Sequence, residues 1–183
     1  VDAIIHLVRC FESDKITHVN SKINPVEDLE TIKTEIILSD LDIIEKKLEK
    51  GKKKLLDANE VRILEEKLQQ LNKGNEITAN DEKEKKILST LGLLSIKPKI
   101  IVCNVDEESL SKGNIFTESV KNKHSKEKVV TICADIEDQI MGLDNNERET
   151  FMKEIGLDKT GLNQLIKEGY DLLNLDTFFT SGP

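Results

Sequence analysis

The chain has 183 residues, enough for one or two domains and a sizeable buried core. It carries 35 acidic against 27 basic residues, a net charge of −8, which argues against a general polyanion-binding surface. With no Trp, one Tyr and only 3% aromatic residues, a base-stacking platform for single-stranded nucleic acid is not expected either, nor is recognition of a DNA sequence.

In chain order, residues 2–11 (Asp2-Ala3-Ile4-Ile5-His6-Leu7-Val8-Arg9-Cys10-Phe11) read as a buried strand, with His6 packed inside it. Residues 12–24 read as a polar loop carrying His18. Such a strand rarely opens a natural chain, because termini tend to be exposed, so Val1 reads as an internal position of something longer. No signal peptide and no apolar run of membrane-spanning length is present, and a cytoplasmic protein is expected. The cysteines Cys10, Cys103 and Cys133 all lie in apolar segments without zinc-ligand spacing, which suits buried reduced thiols; no metal site is expected.

From Asn24-Pro25, an N-cap followed by Pro at the first helical position, the periodicity changes. Ile37, Leu41, Ile44 and Leu48, then Val61, Leu64, Leu68 and Leu71, mark two narrow apolar stripes in sequence rich in Glu, Lys and Gln. They predict an antiparallel helical hairpin of coiled-coil type, with a break near Gly51 and Asp57-Ala58-Asn59. Lys46, Lys47, Lys50, Lys52, Lys53 and Lys54 crowd its tip, where they could meet RNA phosphates or simply form a solvated end. Further helices are predicted over 81–93, 115–123, 134–142, 145–155 and 160–173, with strands over 99–103 and 128–133 and another beginning at 176–180. His124 reads as a solvated helix end, and Asp144 to Glu149 as an acidic first helical turn. The alternation of strands and helices is that of an α/β protein with a parallel sheet into which the hairpin is inserted.

The most informative residues follow the apolar run Lys99-Ile100-Ile101-Val102-Cys103: Asn104-Val105-Asp106-Glu107. The carboxyl end of a strand in an open α/β sheet is where ligands bind. A carboxamide there offers an acceptor and two donors in one plane, and a carboxylate three residues on accepts from N–H groups; together they suit the edge of a purine.

Asn-x-x-Glu resembles the YchF subfamily of Obg-like P-loop ATPases and GTPases, where ordinary P-loop GTPases carry Asn-x-x-Asp. The resemblance extends along the chain. Val1 to Glu12 is similar to the YchF strand after the second switch, and Asn24-Pro25-Val26-Glu27-Asp28-Leu29-Glu30 to the opening of its inserted coiled coil. Ala134, after Val130-Thr131-Ile132-Cys133, resembles the fifth nucleotide-binding motif, where a backbone N–H faces the base. Gly161-Leu162-Asn163 and Gly169 to Thr180 resemble the run into a TGS domain. The resemblance implies a partial Ras-like P-loop NTPase sheet with an inserted hairpin. Its divisions would be 1–24 (strand and catalytic loop), 25–95 (coiled coil), 96–175 (base-recognition remainder) and 176–183 (start of a TGS domain). It implies base contacts from Asn104, Val105, Glu107 and Ala134, and a water-orienting role for His18. ATP and Mg²⁺ would serve the parent protein and a ribosome or RNA would be its partner.

No G-x-x-x-x-G-K-[ST] occurs here: Gly51-Lys52 lacks the upstream Gly and the following Ser or Thr. An internal fragment, inactive alone, is therefore expected. A GTPase with relaxed base choice, a non-enzymatic ribosome- or RNA-binding module, and an interaction protein using the hairpin as a dimer seam remain open alternatives.

Overall fold

The structure, a computed structural model, describes residues 1–13, 22–53 and 57–180. In chain order the elements are β1 (Ile4–Arg9), α1 (Pro25–Lys53), α2 (Ala58–Asn72), α3 (Glu82–Ser89), β2 (Lys99–Asn104), α4 (Glu107–Lys112), α5 (Ile115–Lys123), β3 (Lys128–Ile132), α6 (Ala134–Gly142), α7 (Asn145–Glu154) and α8 (Gly161–Leu173). They divide into two compact units, Val1–Leu29 with Pro98–Pro183, and Glu30–Lys97.

The first unit is built on a parallel sheet in the order β1-β2-β3. Parallel neighbours cannot be joined by a tight turn, so helices intervene between them. Central β2 is covered on both faces, which is why Ile100 to Cys103 reads as an unbroken apolar run and is buried throughout. One face packs Val8, Ile101 and Cys103 against Val120, Ile136 and Ile140 of α5 and α6. On the other face, Ile100, Val102 and Val130 lie under Leu165 and Leu172 of α8. Helix α8 comes so close that a Cβ on Gly161 would stand 2.6 Å from Ile132 Cγ2. The Gly161 N–H donates to Glu137 Oε1 at 2.6 Å. On edge strand β1, Ile5 and Leu7 remain more than half exposed.

The second unit holds the predicted hairpin. Ile37 and Ile44 of α1 share one core with Leu64 and Leu71 of α2, flanked by Leu41, Leu48 and Leu68. Lys47 pairs with Glu60 at 3.1 Å near one end of the two helices, while Ile37 and Leu41 line a groove with Leu71 at the other, so the helices run antiparallel. The core also takes in Ile77, Leu93 and, from α3, Leu88. Two buried polar ties complete it. Asp40, fully buried, accepts from the N–H groups of Leu94 (2.9 Å) and Ser95 (2.8 Å) and from Ser95 Oγ (2.6 Å). Lys67 Nζ lies 2.8 Å from Glu84 Oε2, joining α2 to α3.

The α/β class, the parallel sheet and the helical hairpin all hold. Asn24 starts α1 as expected: its Oδ1 accepts from the Glu27 N–H at 3.3 Å and its Nδ2 donates to Glu27 Oε2 at 3.0 Å. Several expectations are corrected. Helix α1 runs through Gly51 to Lys53, because one glycine costs a helix only about 1 kcal/mol. Helix α3 stops at Ser89, short of 93, and Gly92 follows with φ +71°. A short helix, α4, follows β2 in a stretch to which the sequence assigned no element; Asp106 caps it by accepting from the Ser109 N–H at 2.9 Å. Residues 176–180 form no strand, and among the described residues no strand pairs with them. His124 does cap the end of α5, but its side chain is only 15% exposed, with Nδ1 3.3 Å from Glu127 Oε2.

Candidate functional site

Register sets Asn104 beside Arg9 of β1 and Ile132 of β3, so the carboxyl ends of the three strands lie side by side. Backbone bonds lace them together: the Cys10 N–H donates to Asn104 O at 2.7 Å, and the Val105 N–H donates to Ile132 O at 2.8 Å. The Asn104 side chain adds a third tie, its Oδ1 accepting from the Ala134 N–H at 3.0 Å. That bond fixes the carboxamide plane. Nδ2 has no partner among the described residues and is left to serve an acceptor at the sheet edge.

Glu107 is the first residue of α4 and its side chain is exposed. Its charge acts on the Cys133 thiol that immediately precedes Ala134. Burial is the main cause that pushes this thiol up, backbone N–H groups of Ile136 and Asp135 oppose it, and the Asp135 and Glu107 charges push it further up. Glu107 also borders a groove of about 570 Å³ with Leu110, Ile136, Ile155 and Leu157. Val105 is placed otherwise than a slot-lining role needs: at 2% exposure its side chain belongs to the core and supports the strand end from behind.

His18 lies outside the described residues. The chain leading toward it is braced from two sides. Arg9 Nε donates to Phe11 O at 3.0 Å and Arg9 Nη2 to Ser13 O at 3.3 Å, with the guanidinium 4.8 Å from the Phe11 ring centroid. Asn114 Nδ2 donates to Cys10 O at 2.7 Å, while its Oδ1 caps α5 by accepting from the Phe116 and Thr117 N–H groups. Sequence reading did not single out Arg9 or Asn114. For Asn114 a signal was present, an Asn three residues before Thr117 at the start of a helix, which is a capping-box pattern.

Of the tip lysines, Lys46 pairs with Asp42 and Lys47 with Glu60, and Lys50 is exposed. Lys54 and the side chains of Lys52 and Lys53 lie outside what is described. The three cysteines are buried and free. The Cys10 thiol is fully buried and is driven up, first by its hydrogen bond with Cys103 and then by burial. Among the described residues no group of three or more His, Cys, Asp or Glu is arranged to hold a metal ion. No helix among the described residues is long and apolar enough to cross a membrane.

The chain matches no protein-family model. It is 40% identical over 190 residues to the ribosome-binding ATPase YchF of Escherichia coli O157:H7, covering 99% of this chain and 52% of that protein. It is 35% identical over 194 residues to the ribosome-binding ATPase YchF of Bacillus subtilis, covering 100% of this chain and 53% of that one. Among solved structures, the Schizosaccharomyces pombe YchF GTPase matches with a TM-score of 0.84 at 26% identity, over 100% of this chain and 53% of that one. The chain thus spans about half the length of the curated relatives it matches. Sequence and fold both bear out the resemblance to the YchF family.

Proposed function

We propose that this chain, similar along its whole length to YchF-family proteins, is the base-recognition half of a YchF-type nucleotide-binding domain together with its inserted helical hairpin. The full-length protein binds ATP and hydrolyses it to ADP and phosphate, associates with the ribosome, and works in the cytoplasm. The observation that carries this reading is the hydrogen bond from the Ala134 N–H to Asn104 Oδ1, which joins the two base-recognition segments at the carboxyl edge of the sheet. Among the described residues β1 is an outer strand, and its exposed Ile5 and Leu7 leave an apolar patch on one sheet face that further chain of a longer protein could cover.

In this reading the chain's own residues do three things. Asn104 and Glu107 hold the base, with Ala134 shaping the place where it lies and Val105 supporting the strand end from the core behind it. His18 orients the water that attacks the γ-phosphate in line. The hairpin tip, with Lys46, Lys47, Lys50, Lys52, Lys53 and Lys54, faces ribosomal RNA. The phosphate groups and Mg²⁺ would be held by a P-loop, and this chain contains no P-loop sequence. A GTP-using protein is the second reading: the S. pombe relative is described as a GTPase, and a carboxylate at Glu107 can accept from the guanine N–H groups.

Phosphate release measured on three samples tests the proposal. The full-length protein should turn over ATP. His18→Ala should lower kcat by roughly 10²-fold or less while nucleotide affinity stays nearly unchanged, because a water-orienting group acts mainly in the transition state. The isolated chain of 183 residues should release none above a buffer blank. Turnover by the isolated chain, or wild-type kcat in His18→Ala, would refute the corresponding assignment.

A further inference from the structure

We propose that Asn114 and Arg9 are positioning residues for the hydrolytic step, because they hold the chain that leaves β1 toward His18. The inference rests on the reading of His18 given above and adds the side chains that set the course of the backbone leading to it. Strand β1 ends at Arg9, and the Cys10 N–H makes a last bond across the sheet, to Asn104 O. Past that point side chains meet the carbonyls. Asn114 Nδ2 donates to Cys10 O at 2.7 Å, Arg9 Nε to Phe11 O at 3.0 Å and Arg9 Nη2 to Ser13 O at 3.3 Å. Cys10 is fully buried, where a carbonyl needs a partner. The guanidinium carries its donors in a rigid plane, so the Phe11 and Ser13 carbonyls are held at one fixed setting. Its carbon lies 4.8 Å from the Phe11 ring centroid, which fixes that plane in turn.

Capping alone does not call for Asn at position 114. Its Oδ1 accepts from the N–H groups of Phe116 at 3.1 Å and Thr117 at 3.0 Å, a task that Asp or Ser performs as well. A carboxamide supplies donors besides: Nδ2 reaches Cys10 O and, at 3.1 Å, Ser109 Oγ of α4. One side chain thus ties the exit of β1 to α4 and to the first turn of α5, across 104 residues of sequence. A group that orients water loses rate, not nucleotide affinity, when its support shifts; a displacement of ~1 Å costs up to roughly 10²-fold.

Steady-state ATP hydrolysis by the full-length protein tests this with variants that spare the cap. Asn114→Asp keeps an acceptor for the Phe116 and Thr117 N–H groups and removes the donor to Cys10 O. Arg9→Lys keeps the charge and loses the fork. Each should lower kcat by roughly tenfold while KM for ATP changes by less than about twofold. Neither should lower kcat further in a His18→Ala background, because groups that act as a unit are not additive. Wild-type kcat in either folded variant, or a raised KM with kcat unchanged, would overturn the inference. So would the same fold-loss in the His18→Ala background as in wild type, which would make the two side chains framework only. Loss of fold in Asn114→Asp, seen by circular dichroism, leaves Arg9→Lys to decide by the same criteria. Wild-type kcat in His18→Ala alone would overturn the reading of His18 itself, and the inference with it.

Discussion

Lys67 and Glu84 form an ion pair almost sealed from water, with side chains 1% and 9% exposed. The Lys67 ammonium, followed by the Asn80 N–H, holds the Glu84 carboxyl below its ordinary value of 4.5. A depressed carboxyl contributes stability above its unfolded-state value, and that contribution is lost as pH falls through the folded one. Unfolding in urea at a series of pH values should therefore show stability dropping below about pH 5. Glu84→Gln should flatten that acid limb and cost about 3–5 kcal/mol near neutrality, because Lys67 is left buried and unpaired. An unchanged acid limb in Glu84→Gln would remove the pair from the pH dependence. At the site, Glu107→Asp in the full-length protein should move binding from ATP toward GTP, since the shorter carboxylate approaches the geometry of the Asn-x-x-Asp clamp. Titration of both nucleotides against both proteins checks this, and an unchanged preference would remove Glu107 from selectivity. Asn104 and Glu107 were legible because a polar cluster ends an apolar strand. The bond to Ala134 was not, because it joins residues 30 apart in sequence that only the β2–β3 register brings together. Val105 was misplaced for a related reason: its N–H continues the ladder onto Ile132, and its side chain turns into the core.

Among the elements, period carried the reading furthest where one face meets one core. The 3.6-residue pattern of α1 and α2 and the apolar runs of β2 and β3 all emerge as expected. It failed where a partner decides. Residues 176–180 have strand-like composition but no pairing strand among the described residues, and six-residue α4 is too short to show a period, its only signal being Asp106 three residues before Ser109. The buried Lys67 escaped because a lysine on a helix reads as solvent-facing until Glu84 of α3 is brought against it. The hairpin tip carries its own prediction. Changing Lys46, Lys47, Lys50, Lys52, Lys53 and Lys54 to Gln should weaken sedimentation of the full-length protein with ribosomes and flatten the salt dependence. The described pairs, Lys46 with Asp42 and Lys47 with Glu60, are surface pairs worth about 0–1 kcal/mol each, so the fold should survive. Superimposable sedimentation curves for variant and wild type at all salt concentrations would leave the tip without an RNA role.

At the scale of the whole molecule, the chain provides the carboxyl edge of a three-stranded sheet and a separate helical hairpin, over about half the length of its YchF relatives. In the function proposed above, base recognition and phosphate chemistry would fall on different stretches of the full-length protein, and the former would turn on Asn104, whose carboxamide is oriented by the Ala134 N–H. The most direct measurement is an equilibrium titration of fluorescently labelled ATP against the full-length protein and its Asn104→Ala variant. Loss of the side chain removes both the donor Nδ2 and the tie that orders the β3–α6 turn, so affinity should fall by roughly tenfold or more with the protein still folded. Equal affinity in the two proteins would contradict the assignment of this sheet edge as the place where the nucleotide base is read.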